Sequence, residues 1–368
     1  MKWYCVINNW TKNFHPAYFA MVMATGIVSL AFDVMNFTGI ARALSVLNLF
    51  FYLTLSVSLL MRMLFFLPDL IADFKIFKRS LLFLTFVIGT NTVGMQLLIF
   101  HQAVPLAILL WFVALAAWFI FGYFILCNLI ALHEKFLSEI ASGSTLLITV
   151  STVSIPLLGI SLLNAMNMPS GFAYLTAIGF WFMGLISYAI IISLLIYNLY
   201  LCKFDPEKWD APYWICMGAA AIITLAGSRF VIYTPFTPTW EVLREAVLWI
   251  TIVAWMIGTL WIPYLLFMDI QKFTHTGTSA SAPLWVIAFP WLRLAFGRTH
   301  RAYDPVSWSR VFPMGMYTAS LVALTHAAQY EFLAIISQYW GWFALCIWFL
   351  TLVGMLRALI SFIRQYRF

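Results

Sequence analysis

Charge is scarce in this sequence: only 9% of its 368 residues are Asp, Glu, Lys or Arg, against about 25% in an ordinary soluble domain. With 64% of residues drawn from AVILMFWYC, where about 45–50% is usual, a water-soluble globular fold is excluded. Paired metal or redox ligands are scarce too. The cysteines, Cys5, Cys127, Cys202, Cys216 and Cys346, form no CxxC or other paired spacing. Neither a zinc site nor a disulfide framework is indicated, and the thiols read as buried apolar groups. The histidines, His15, His101, His133, His275, His300 and His326, form no HExxH or HxxxH pair, and no G-x-S-x-G elbow occurs. An intramembrane enzyme needs a nucleophile with a base, or a metal cluster, at membrane depth. That class is disfavoured, and no cofactor or metal is expected.

What the sequence has instead is long apolar runs. Several reach the ~20 residues needed to cross a ~30 Å hydrocarbon core as a helix, and they lack the ~10-residue alternation of an outer-membrane barrel. Helices must therefore satisfy the backbone in lipid, which predicts an all-α polytopic membrane protein. The runs predict ten spans, near 16–36, 44–66, 80–100, 106–130, 144–166, 172–200, 212–233, 245–268, 305–327 and 332–356. Loop rhythm groups them as five helical hairpins, without strong self-similarity in the residues. The stretch 274–302 differs: its apolar part, Ala282 to Phe296, is short and holds Pro283 and Pro290. It is expected to be a cytoplasmic interfacial insertion in a single transmembrane domain spanning 1–368. The polar opening of the chain is unsuited to a cleaved signal, so the first span is expected to direct insertion.

The net charge of +7 would suit a nucleic-acid partner if it were clustered for one. With ten spans, however, 17 of the 20 Lys and Arg fall on the side that carries both termini, and only Arg42, Arg229 and Arg244 on the other. Basic loops mark the cytoplasmic side. Both termini are thus expected in the cytoplasm, with the chain in the plasma (inner) membrane, and the basic excess is a topology signal that leaves nucleic acid without support.

Odd and even spans differ in kind. The odd windows carry 32 Gly, Pro, Ser or Thr among 110 residues, the even ones 18 among 126, whereas Phe, Trp and Tyr number 13 and 32. Small and hydroxylated residues permit close packing or line a wet passage, and bulky aromatics suit an outer layer. The odd helices are therefore expected to form an inner ring around a central pore and the even helices an outer ring. The candidate pore-lining residues are Thr25, Gly26, Thr90, Asn91, Thr92, Ser151, Thr152, Ser154, Pro156, Gly218, Thr224, Pro313 and Gly315. Helix packing is the competing role for each small residue among them.

Acidic side chains are nearly absent from mid-span positions, where a cation pathway or proton pump usually needs them. Hydroxyls, amides and broken helix ends suit anions instead. Arg229 and His326, near the ends of the seventh and ninth spans, either bias a vestibule toward anions or serve as snorkelling, structural side chains.

Two segments carry a resemblance. Phe14-His15-Pro16-Ala17-Tyr18-Phe19-Ala20-Met21-Val22-Met23-Ala24-Thr25-Gly26-Ile27 resembles the opening of the tellurite-resistance/C4-dicarboxylate transporter family, which includes plant slow anion channels, fungal malate permeases and sulfite efflux pumps. Trp308-Ser309-Arg310-Val311-Phe312-Pro313-Met314-Gly315-Met316-Tyr317 is similar to that family's W-S-x-x-F-P-x-G-x-Y segment. Gly89-Thr90-Asn91-Thr92, with Gly94 and Gln96, is similar to its third-helix pattern. The resemblance implies a homotrimer in which each protomer has its own pore for small anions, plugged by a phenylalanine of the ninth helix, here Phe312. Channel and proton-coupled dicarboxylate carrier both remain open. Coupling would need a titratable relay, and His326 is the one histidine inside a predicted span.

Overall fold

The computed structural model describes residues 8–131, 140–168, 170–201, 209–233, 238–275, 289, 291–296 and 303–365. Ten long helices dominate: α1 (Phe19–Val34), α2 (Thr38–Phe65), α3 (Leu84–His101), α4 (Val104–Ala131), α5 (Leu147–Ala165), α6 (Gly171–Leu201), α7 (Ile215–Tyr233), α8 (Pro238–His275), α9 (Trp308–Ala328) and α10 (Phe332–Gln365). No strand occurs among the described residues. The chain is an all-α polytopic membrane protein.

The odd helices pack in a closed cycle: α1 on α3, α3 on α5, α5 on α7, α7 on α9, and α9 back on α1. Each even helix packs on the odd helix before it and also touches the odd helix after it, with α10 returning to α1. Burial follows this division. In the most apolar window of α1, α3, α5 and α7, with their lead-in residues, 72–89% of residues are buried, against 17–39% in the five even helices. Among the described residues nine helices are long and apolar enough to cross a membrane. The tenth, α9, is less apolar because it carries Arg310, Pro313 and His326. Its neighbours bury most of it, so it needs no lipid-compatible surface.

Three local devices recur around the ring. At one end, the helix-to-helix turns place a polar residue in the left-handed region: Asn36 (φ 67°), Gln102 (φ 51°), Asn167 (φ 50°) and Gln329 (φ 59°). Asn tolerates that region better than most residues, and the turn reverses the chain in a few residues. After Asn36 and Asn167, the Phe37 and Met168 N–H groups reach back to the Phe32 (2.9 Å) and Leu163 (3.1 Å) carbonyls, a Schellman-type closure.

At the opposite end, the odd helices begin with a tight lead-in. These are the 3₁₀ turns Pro16–Tyr18, Gly143–Leu146, Ala211–Trp214 and Pro305–Ser307, and the short helix Phe77–Leu82 before α3. Pro16, Pro212 and Pro305 occupy the first positions, where a missing N–H costs nothing. The five lead-ins touch one another in the same cyclic order as the helices. We call this the basic end, because it carries Arg62, Arg79, Lys272 and Arg310.

The third device joins the layers. Near mid-span each even helix forms a side-chain hydrogen bond with the next odd helix. Tyr52 meets Thr90 (3.2 Å), Trp118 donates to Thr152 (3.1 Å), Trp181 to the Ile223 carbonyl (2.9 Å), Thr259 meets Tyr317 (2.8 Å), and Trp348 donates to Thr25 (2.9 Å). The aromatic content of the outer set is thus not only lipid-facing bulk: Tyr52, Trp118, Trp181 and Trp348 fix rotation between layers through their polar tips, as Tyr317 does from the inner side.

Several helices outrun the windows expected for them. The α2 helix starts at Thr38 rather than near 44, and α8 and α10 extend to His275 and Gln365. Apolar windows mark only the lipid-crossing part, while backbone hydrogen bonding continues into the polar flanks. Two short helices, Leu67–Lys75 and Phe77–Leu82, occupy the expected loop after α2, separated from it by a non-helical Phe66 (φ −134°, ψ 38°). Of the stretch 274–302, residues 276–288, 290 and 297–302 lie outside the described residues. The described part includes the helix Leu292–Phe296, which packs on α10.

Candidate functional site

A cavity of about 310 Å³ lies inside the ring, and every residue that lines it belongs to an odd helix. Its inner limit is formed by Ile27, Ile88, Asn91, Ser154, Ile222 and Met316, and its outer end by Val34, Ile99, Arg229, Ile232 and His326. The cavity therefore runs from mid-helix through the C-terminal halves of α1, α3, α5, α7 and α9. The wall is mainly apolar, and among the described residues no carboxylate lines it.

Hydrogen bonding narrows what the polar wall offers. Asn91 Nδ2 donates to Ser154 Oγ (2.9 Å), and Ser154 in turn donates to the Ser151 carbonyl (2.7 Å). Thr92 donates to the Ile88 carbonyl (2.7 Å). Both hydroxyl protons are thus directed at helix backbone rather than into the cavity, a common arrangement for Ser and Thr in helices. Asn91 Oδ1 has no hydrogen-bond partner among the described residues. The groups left to meet a guest are the Asn91 amide, hydroxyl lone pairs and the His326 imidazole, with the Arg229 charge nearby at the outer end.

Of the residues expected to line a pore, Asn91, Thr92 and Ser154 are on the cavity wall. The hydroxyls of Thr25, Thr90 and Thr152 instead meet Trp348, Tyr52 and Trp118 of the outer helices. Ser151 and Thr224 bond to the Ile148 (3.0 Å) and Ala220 (2.9 Å) carbonyls. Three glycines lie where helices approach closely. An added Cβ would stand 2.4 Å from Thr92 Cγ2 at Gly26, 2.8 Å from the Pro313 ring at Gly218, and 2.9 Å from Val28 at Gly315. Pro156 and Pro313 both lie inside their helices and are buried. Phe312 is fully buried one helical turn before Met316, on the basic side of the cavity floor.

Beyond that floor the basic end is closed by charge as well as by packing. Arg62, at the end of α2, pairs with Asp73 at 2.8 Å and donates to the Phe14 carbonyl at 2.6 Å, while Arg79 holds the other oxygen of Asp73. His15, the residue before the first lead-in turn, has its pKa held below the ordinary 6.5 by desolvation and by the Arg79 charge. Asp210, before the third 3₁₀ turn, has an exposed side chain. Desolvation nevertheless pushes its carboxyl up to about 6, with Lys272 pulling the other way.

The most heavily coordinated group at this end is one that the sequence did not single out. Asp269, on α8, is fully buried. Its Oδ1 accepts from Trp209 Nε1 (2.9 Å) and Arg310 Nη2 (3.3 Å). Its Oδ2 accepts from Trp214 Nε1 (2.9 Å), Trp291 Nε1 (2.8 Å) and Arg310 Nε (2.8 Å). In sequence Asp269 is one acidic residue near the end of an even span. Its partners lie 22 to 60 positions away, so only a count of indoles and an arginine flanking spans at the same end could have flagged it.

Comparison with known proteins agrees with this architecture. The family model described as voltage-dependent anion channel matches residues 13–356. Two curated relatives from strains of Mycobacterium tuberculosis, the uncharacterized membrane proteins MT1776 and Rv1735c, are each 31% identical to this chain over 172 residues. That stretch is 47% of this chain and 76% of each relative.

Proposed function

Since the chain belongs to the voltage-dependent anion channel family, we propose that it conducts small anions through the ring of odd helices, by way of the cavity on their C-terminal halves. One observation carries this reading: the cavity is walled only by odd helices, bears Arg229 and His326 at its outer end, and has no carboxylate among its described lining residues. A permeating cation would meet no carboxylate among the described lining residues, whereas an anion meets the Asn91 amide and the His326 imidazole in the field of the Arg229 charge.

Phe312 is the proposed gate. It precedes Met316 of the cavity floor by one helical turn, and an apolar ring there would block passage by steric closure and dewetting. Passive conduction is favoured over proton coupling, because His326 is the one ordinary titratable side chain on the wall besides the permanently charged Arg229, and a relay needs more than one such group. The proposal includes a homotrimer in the plasma membrane with cytoplasmic termini. The basic end then faces the cytoplasm, in line with the positive-inside rule.

Purified protein in liposomes tests this reading. Anion gradients of chloride, nitrate, sulfite and malate should set the reversal potential, and Phe312→Ala should raise flux about tenfold or more by removing the hydrophobic block. Cation-selective current, or unchanged flux in Phe312→Ala from an active preparation, would overturn it.

A further inference from the structure

The Asp269 carboxylate lies on an outer helix and is not among the residues that line the cavity, yet it binds three other stretches of chain: 209–214, the residue Trp291, and the first turn of α9. A carboxylate offers about four lone-pair sites, and five donors fill them. The Arg310 contact is side-on and bidentate, Nε to one oxygen and Nη2 to the other. That geometry fixes rotation as well as distance.

Arg310 stands two residues before Phe312 and three before Pro313. Proline at 313 removes the helical hydrogen bond to the Ser309 carbonyl, which loosens α9 at that turn. The helix's own backbone therefore holds this first turn less firmly than an unbroken helix would. The bond to Asp269 supplies an external tie at the same point.

We propose that Asp269 is a positioning residue for permeation: through Arg310 it holds the first turn of α9 in the pose that keeps the passage shut at Phe312. The three indole donors fix the carboxylate, so the tie is anchored to the α7 lead-in and to Trp291 rather than to α8 alone. The proposal rests on the anion-conduction reading above. It adds that a group outside the cavity sets how far the passage is closed.

Variants that keep the ion pair but alter its reach test this. Asp269→Glu lengthens the tie by one methylene, and Arg310→Lys keeps the charge but loses the bidentate fork. Both should raise nitrate flux per folded protein in liposomes about tenfold, and Trp291→Phe, which removes one donor, should raise it about threefold, as expected for a weakened hydrogen-bonded tie. A second readout does not depend on conduction. Ser309 is buried, so Ser309→Cys should resist a water-soluble cationic thiol reagent in the otherwise native chain and react about tenfold faster with Arg310→Lys added, because α9 then leaves its closed pose. Lower thermal midpoints with unchanged flux and unchanged labelling would show a merely structural pair and overturn the proposal, as would lowered flux per folded protein. If every variant including Phe312→Ala passes no anion, the conduction reading fails, and the labelling experiment still decides whether Asp269 holds α9.

Discussion

The two halves of the inner ring are built from the same five helices and solve opposite problems. At the basic end, the lead-in turns of successive odd helices touch one another, and two buried carboxylates, Asp73 and Asp269, hold arginines from different elements. In the C-terminal halves the helices enclose a cavity of about 310 Å³ whose wall is mostly aliphatic. Close packing and the arginine-paired carboxylates leave one half little freedom. The other half keeps open volume, with a carbonyl on Asn91 that has no hydrogen-bond partner among the described residues. A conduit needs both: a half that admits a guest, and a half rigid enough for one side chain to matter as a gate.

The contrast is broken most severely by crowding the basic end. A Cβ on Gly143 would stand 2.3 Å from the Pro212 carbonyl carbon and oxygen, which are backbone and cannot rotate away. Gly143→Ala should therefore destabilise the fold by about 3 kcal/mol, the upper part of the range for overpacking, and lower the yield of monodisperse protein. At the other end Gly171 has nothing within 4 Å of an added Cβ, so Gly171→Ala should leave the thermal midpoint unchanged or raised. Equal losses from the two substitutions would remove the distinction.

A smaller effect distinguishes the charges at the basic end. With its pKa raised from 3.8 to about 6, Asp210 binds its proton more tightly in the native state than in the unfolded chain. Its contribution favours folding as pH falls from about 6 to 4 and is lost as pH rises through that window. His15 acts oppositely. Its pKa is lowered from 6.5, so the unfolded chain takes up the proton more readily, and stability falls as pH drops below 6.5. Asp210→Asn should be slightly more stable than the parent at pH 7.5, the gain kept small because the side chain is exposed and its charge is screened by solvent. It should also lose stability on acidification to pH 5, where His15 acts unopposed. Thermal unfolding across pH 4.5–8 checks both statements.

A modest effect on stability is expected in the open half. Arg229→Gln at the outer end of the cavity should cost about 1 kcal/mol, less than Gly143→Ala, because the half-buried side chain gives up a polar interaction. It should nevertheless lower anion flux a few-fold at low salt, with the difference shrinking as ionic strength rises. A large loss of stability with unchanged flux would make Arg229 a packing residue and weaken the comparison from the other side.

Much of the architecture was legible beforehand because the bilayer imposes it. Ten apolar runs, the sorting of Lys and Arg, and the division into small-residue and aromatic spans all follow from lipid exposure, and the burial of odd against even helices agrees with that division. The individual wall residues were less legible. Thr25, Thr90 and Thr152 look like pore hydroxyls in sequence, but residues on one helix point in all directions, and these three satisfy the phenol or indole of an outer helix. The wall includes aliphatic residues such as Ile88, Leu157 and Ile222, which composition cannot tell from core.

The sequence by itself determined what kind of medium surrounds this chain, that it forms a set of long apolar helices, and which of them are shielded from that medium. Those properties are sums over many residues, each with the same local preference for lipid or water. Only the tertiary structure decided which polar groups meet. Asp269 gathers Trp209, Trp214, Trp291 and Arg310 because closing the ring brings the lead-in turns and the ends of the outer helices to one place. A hydrogen bond depends on a few ångströms of geometry that no local preference encodes.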